Sequence, residues 1–201
     1  MRNRILEAAL DCMRETGVRG TTTRSIARRA GVAEGSIYNH FTNRSELIVD
    51  AFALATHDIR AHVAALQQRV GTHTVEDNLV SLMEAVIEFF EEIFPIVGSI
   101  LGDPQLRSWF TDGTVASPQG EPLTPLTGVV ELGKYLEAEH DQGRLAGNRC
   151  WTTCASLLIG ACLHYVYLQM LSPQGIAGVT AQSGQSPRTY AREATRTLFE
   201  I

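Results

Sequence analysis

Little in this sequence invites covalent stapling, catalysis or metal binding. The four cysteines in 201 residues, Cys12, Cys150, Cys154 and Cys162, fall mostly inside apolar helical patterns. A disulfide framework is therefore not expected, and a reducing cytoplasm fits the chain. Cys150, Cys154 and Cys162 share one side of a helix, a spacing open to a redox or metal sensor, but no histidine stands at ligand spacing and core thiols are the plainer reading. His57 and His62 are five apart and so lie on different faces. Neither a metal nor a cofactor is expected. No nucleophile with its base and no paired carboxylates rise above surface charge, and Glu88, Glu91 and Glu92 look like a solvated face, so an enzyme is not expected. No charged and then apolar leader opens the chain. Strand-like alternation is nearly absent, as are internal repeats and low-complexity tracts, which leaves an all-α fold. Charge is missing altogether between Cys150 and Leu171, a stretch long enough to cross a bilayer. It carries Thr152, Thr153, Ser156, His164 and Gln169, and its basic flanks are sparse, so it is read as a helix buried between two protein surfaces, with no membrane partner.

What is present begins with a lopsided charge. The composition, 44% hydrophobic and 19% charged, suffices for a globular core. Residues 1–48 hold eight arginines (Arg2, Arg4, Arg14, Arg19, Arg24, Arg28, Arg29, Arg44) against Glu7, Asp11, Glu15, Glu34 and Glu46, a net +3. The whole chain is −5, so the remainder carries −8. A basic head on an acidic body suits a head that meets a polyanion.

Apolar periodicity predicts about nine helices. The first spans about Arg4–Thr16 and is interrupted by Gly17 and Gly20. Thr22 caps a second, which ends at Gly31. A short third runs from about Glu34 to His40, with Ile37 inward and Phe41 closing it. Asn43 and Glu46 form a capping-box pattern for a long fourth helix reaching about Val70 on the stripe Leu47, Ala51, Leu54, Ala55, Ile59, Val63, Leu66. Thr74 and Asp77 open the next, which Pro95 is expected to end or kink, and short pieces follow over 96–101 and 104–110. After a Gly- and Pro-rich loop, Thr124 and Pro125 open a helix ending near Gly143. The uncharged helix, 148–171, and a last one opened by Ser186 and Pro187 complete the chain.

Two short helices joined at Gly31 over Thr21–Phe41 meet the requirement of a helix-turn-helix, whose second helix enters the major groove. Gly35, Ser36, Asn39 and His40 can offer hydrogen bonds to base edges, and Gly35 lets the backbone come close. Thr23, Tyr38 and Arg44 suit phosphate oxygens, and Arg24 and Arg28, one turn apart, can reach either. Spacing alone also admits a helical hairpin that binds no DNA. The residues are more specific than the spacing. Thr22, Thr23, Ile26, Ala27, Ala30, Gly31, Val32, Gly35, Ser36, Ile37, Tyr38, His40, Phe41, Arg44, Glu46 and Leu47 resemble the N-terminal signature of the TetR family of bacterial regulators, over about a quarter of the chain. That resemblance implies an all-helical subunit and a dimer built mainly through the last two helices. It also implies a ligand cavity in the body whose occupation releases double-stranded operator DNA. It places Thr23, Arg24, Ser36, Tyr38, Asn39, His40 and Arg44 at DNA-contact positions. Two positions depart from the family pattern: Arg44 stands where lysine is usual, and Ala33 takes a cap position often held by serine or threonine.

The expected division is a DNA-binding domain over 1–46 and a ligand-binding and dimerisation domain over 47–201. For a small hydrophobic effector the candidates are Phe90, Phe94, Trp109, Phe110, Tyr135, Trp151 and Tyr165, with His62 and His164 as polar handles, although any one of these aromatics also serves as ordinary core. For the homodimer they are Leu157, Gly160, Ala161, His164, Leu168, Tyr190, Ala194 and Leu198, where small residues let a partner helix approach. A repressor released by ligand is the expected function; an activator, or an architectural DNA binder without ligand, stays open at this stage.

Overall fold

Apolar side chains recur at helical spacing along nearly the whole chain, and the computed structural model answers with helices alone among the residues it describes: 1–104, 107–108, 125–171 and 186–200. These form eight α-helices and one 3-10 segment. Residues 105–106, 109–124, 172–185 and 201 lie outside that description, and with them Trp109 and Phe110 from the ligand candidates.

Helix α1 (Arg2–Gly20) buries Ile5, Leu6, Ala9, Leu10 and Met13, as its stripe predicts, but does not stop at Thr16. Gly17 takes φ 68 and ψ 172 inside it, a break open to glycine, and one further turn follows. Helix α2 (Thr23–Ala30) is held at both ends by its own sequence. The Thr22 side chain accepts from Ser25 N while the Thr22 N–H donates to Ser25 Oγ. At the other end Gly31 is left-handed, its N–H reaching Arg28 O, and Val32 N–H reaches Ala27 O, the paired bonds of a Schellman motif.

The expected third helix is a 3-10 segment, Glu34–Asn39, with Ile37 buried. Ala33 provides no side-chain cap, and six residues containing Gly35 are too short to repay a full α nucleus. The long fourth helix is corrected to two, α3 (Arg44–Ala55) and α4 (His57–Gln67). At the break the Thr56 hydroxyl donates to Ala53 O, a local bond that competes with the helical ladder.

Helix α5 (Val75–Leu101) runs on through Pro95 as one helix of 27 residues, so of the two outcomes expected there, an end or a kink, the end does not occur. Ile93, Ile96 and Ile100 are buried around that proline, and their packing outweighs one missing backbone bond. Helices α6 (Pro125–Asp141), α7 (Trp151–Leu171) and α8 (Pro187–Phe199) complete the order. Ser186 caps α8 by accepting from Thr189 N, with Pro187 in the first turn.

Two compact units result: 1–57 with 92–124, and 58–91 with 125–201. In the first, α1 packs on α2 and α3 while α2 packs on the 3-10 segment, around Ile5, Met13, Ile26, Ile37, Phe41 and Leu47. Each such side chain contributes about 1.5–3 kcal/mol by leaving water. In the second, α7 packs on α6 and α8 around Leu79, Met83, Leu136, Leu158, Cys162 and Val166. That core also encloses a polar cluster. Glu139 is fully buried, accepting from Gly71 N at 3.3 Å and ion-paired with Arg144 at 3.2 Å. Beside it Asn78 Nδ2 donates to the Tyr135 hydroxyl at 3.0 Å and to Thr72 O at 2.9 Å, fixing the turn after α4.

Helix α7 is long and apolar enough to cross a membrane by length and composition. One side buries Cys154, Ala155, Leu158, Cys162, Tyr165 and Val166, while Leu157, Leu163, Tyr167, Met170 and Leu171 are exposed.

Candidate nucleic-acid interface

The recognition segment inherits its aim from the turn before it. Gly31 reverses the chain, Ile37 and Phe41 drop into the head core, and the side chains between them have only the outside left. Gly35, Tyr38, Asn39 and His40 are exposed and Ser36 is half-buried. A Cβ at Gly35 would meet nothing within 4 Å, so the backbone there is open to close approach. Tyr38 is 55% exposed, too much for a core aromatic and suited to a ring with a polar tip that reaches outward. The segment is anchored to α2 through Thr23, whose hydroxyl donates to Glu34 Oε1 at 2.6 Å.

The head's positive charge resolves into engaged and free arginines. Arg2 pairs with Asp50 at 2.5 Å and lies over the Phe41 ring at 4.9 Å. Arg29 pairs with Glu15 at 2.5 Å, Arg14 with Glu92 at 2.9 Å, and Arg19 with Asp103. Arg24 and Arg28 are exposed on α2 and make no side-chain hydrogen bond or ion pair with the described residues. Two unneutralised guanidinium groups beside a row of outward donors form a surface that fits a polyanion.

Arg44 is placed differently from the other contact candidates. Its Nε donates to Thr21 O at 2.8 Å and its Nη2 donates to Val18 O, and burial lowers its pKa from the ordinary guanidinium value. Next to it Glu46 accepts from Thr42 N at 2.6 Å, which holds its carboxyl below the usual range. Sequence reading missed Ser99 and Asp103. Ser99 Oγ accepts from Val18 N at 2.9 Å, and Asp103 is a buried carboxylate on Arg19. Both contacts span more than eighty residues, and no local pattern signals them.

The ligand candidates differ in burial. Tyr135 is wholly buried, with burial pushing its phenol pKa up and Asn78 already on its hydroxyl. Tyr165 is buried against Tyr190, ring centroids 4.9 Å apart, while Trp151 is half-buried 4.9 Å from the His140 ring. Phe90 is half-buried against Phe89 at 5.6 Å, and Phe94 is half-buried. His62 and His164 are both exposed, His62 with its Nδ1 at 2.9 Å from Asp58 O, and so neither ring is a buried polar handle in this subunit.

The dimer candidates, by contrast, converge. Leu157 and Ala161 of α7 and Tyr190, Ala194 and Leu198 of α8 line one groove of about 420 Å³ together with Leu158, Glu193 and Thr197. The Tyr190 hydroxyl donates to Ala161 O at 3.0 Å and fixes the two helices side by side. Gly160 and His164 are exposed on α7, and Leu168 is half-buried there.

Known proteins resemble this chain in two ways. Residues 5–51 match the model of "Bacterial regulatory proteins, tetR family". The tetracycline repressor protein class A from transposon 1721 of Escherichia coli is 47% identical over 53 residues, 26% of this chain and 24% of that protein. The HTH-type transcriptional regulator TtgR of Pseudomonas putida is 34% identical over 92 residues, 46% of this chain and 42% of that one. These matches thus span less than half of the curated relatives' own lengths. Over the whole chain the fold is that of the transcriptional regulator FadR from Bacillus subtilis, solved in complex with stearoyl-CoA. The TM-score is 0.68 at 14% identity, covering 99% of this chain and 98% of that one. A head matched in sequence and a whole chain matched in fold point the same way: residues 5–51 are similar to the tetR family of bacterial regulatory proteins, and the chain as a whole has the fold of a solved transcriptional regulator.

Proposed function

We propose that the chain is a DNA-binding repressor that acts as a homodimer on double-stranded operator DNA and is released by a small hydrophobic effector. Residues 1–46 form the DNA-binding part, and 47–201 the ligand-binding and dimerising part. The observation that carries this reading is the outward row Gly35, Ser36, Tyr38, Asn39 and His40 over a buried Ile37, flanked by the free Arg24 and Arg28. Ser36, Asn39 and His40 read base edges, where Asn matches the N6 and N7 positions of adenine. Tyr38 and the two arginines hold phosphates and set the register, joined by Thr23 once its hydroxyl exchanges Glu34 for a phosphate oxygen.

The groove between α7 and α8 supports a second copy as the dimer partner, because mostly apolar side chains line it, with Glu193 the one charged residue of that lining. A hydrophobic effector is supported by the likeness to a regulator solved with stearoyl-CoA and by the aromatic content of residues 47–201. Such an effector acts by binding the DNA-incompetent state more tightly, and a few kcal/mol of preference, by the arithmetic of a two-state equilibrium, empties the operator. The site of action is the cytoplasm.

The test is selection of random-sequence duplex DNA on the wild-type chain, followed by titration of Asn39→Ala and His40→Ala on the selected duplex. Each substitution is expected to cost about 1–3 kcal/mol and to relax preference at one or two base pairs. Equal binding to every duplex, or to none, overturns the reading.

A further inference from the structure

The break in α1 leaves the Val18 residue without its helical partners, and two distant side chains supply them. Val18 is fully buried, and its N–H, orphaned by the φ 68 conformation at Gly17, donates to Ser99 Oγ at 2.9 Å. Its carbonyl accepts from Arg44 Nη2, while Arg44 Nε holds Thr21 O at 2.8 Å. Thr21 Oγ1 donates back to Gly17 O at 2.8 Å, which closes the turn on itself. A Cβ at residue 17 would come within 3.0 Å of Ser99 Oγ, so the bare glycine is what admits the serine. One turn on from Ser99, the buried carboxylate of Asp103 holds Arg19.

Chain order gives these bonds a consequence. Thr21 immediately precedes the cap of α2, and Arg44 opens α3 three residues after Phe41 closes the recognition segment. By bonding Thr21, Arg44 ties the stretch entering the helix-turn-helix to the stretch leaving it. By bonding Val18 it ties both to the peptide that Ser99 grips. We infer that Arg44 and Ser99 are positioning residues for DNA binding, which fix the angle of the recognition segment by holding Val18 from opposite ends. The inference rests on the DNA-binding reading above and departs from the resemblance, which puts Arg44 at a phosphate. Two of the five N–H donors of the guanidinium are held by the carbonyls of Thr21 and Val18, which fixes the group against the backbone and makes bonding those carbonyls, rather than a phosphate, the role inferred for it. Ser99 is also where α5, continuous from Val75, reaches the head, so a displacement at that end of α5 is felt at the recognition segment.

Salt dependence separates a positioning arginine from a phosphate contact, because each phosphate contact adds about 0.9 to the slope of log affinity against log salt. The probe is a fluorescein-labelled duplex selected from random-sequence DNA, titrated by anisotropy at several KCl concentrations. Arg44→Lys, which keeps the charge but not the fork, is expected to weaken binding about tenfold with the slope unchanged. Ser99→Ala is expected to weaken it about fivefold, and Ser99→Thr, which keeps the hydroxyl, to restore it. Hydrogen exchange of the Val18 amide in the DNA-free protein supplies a readout independent of DNA, and it should quicken in Ser99→Ala alone of the two serine variants. A slope that falls by about one per subunit in Arg44→Ala, with Arg44→Lys at wild-type affinity, overturns this inference while leaving the DNA reading intact. Unchanged Val18 exchange in Ser99→Ala overturns the serine's part. A wild-type chain that selects no duplex overturns the DNA reading and this inference together.

Discussion

At the scale of single residues, the head depends on a few positions where backbone and side chain leave no freedom. Gly17 is one, since its φ and ψ lie in a region that is essentially closed to other residues and its α-carbon faces Ser99. Gly17→Ala should therefore destabilise the protein by about 1–3 kcal/mol, read as a lower midpoint in thermal unfolding. An unchanged midpoint would mean that the break is not part of the native state. The thiols show the opposite logic. Cys162, buried under α5 with its Sγ 3.8 Å from Met83 O, has its pKa pushed up to about 12 by burial. Cys150 is exposed and drawn down by hydrogen bonds from the Thr153 hydroxyl and N–H. The same residue type is thus a core side chain at one position and a helix-terminal group at another, for reasons that lie in the neighbours.

At the scale of elements, helix ends are where the sequence speaks most clearly. The Thr22 and Ser25 box, left-handed Gly31, the Asn43 cap and the Ser186–Pro187 start are each decided by residues within four positions of one another. Thr22→Ala removes the cap of α2 and should cost about 1 kcal/mol, seen as a lower denaturant midpoint with an unchanged slope. A midpoint equal to wild type would show that tertiary packing alone holds α2. Where sequence reading missed, a contact from elsewhere outweighed a local rule. Of the end or kink expected at Pro95, the end does not occur where Ile93, Ile96 and Ile100 are buried around it. Thr56 looks harmless in a helical stripe, yet its hydroxyl takes a backbone carbonyl and divides α3 from α4. The short recognition segment tightens to 3-10 because it has neither the length nor a side-chain cap for a stable α turn.

At the scale of the whole molecule, the candidate DNA surface was legible and its supports were not. The outward row on the recognition segment follows from the period of one short stretch, whereas the Val18, Ser99 and Arg44 contacts join residues 26 and 81 positions apart. Which of the ligand candidates share a cavity is not legible for the same reason, since a cavity is a property of packing that composition does not encode. Tyr135, chosen as an aromatic, is taken up by the buried Asn78 and Glu139 cluster. The groove of α7 and α8 was readable because small and apolar residues repeat there at helical spacing.

The central claim is that the 34–39 segment of each subunit lies in a major groove, with two subunits acting as one reader. Dimethyl sulfate protection on the selected duplex tests it most directly, because the reagent attacks guanine N7 from the major-groove side. The account predicts two protected clusters, centred about 10 base pairs or a whole multiple of that apart, which Asn39→Ala and His40→Ala weaken in both half-sites at once. Guanines equally reactive with and without protein, or a single cluster without a symmetric mate, would contradict it.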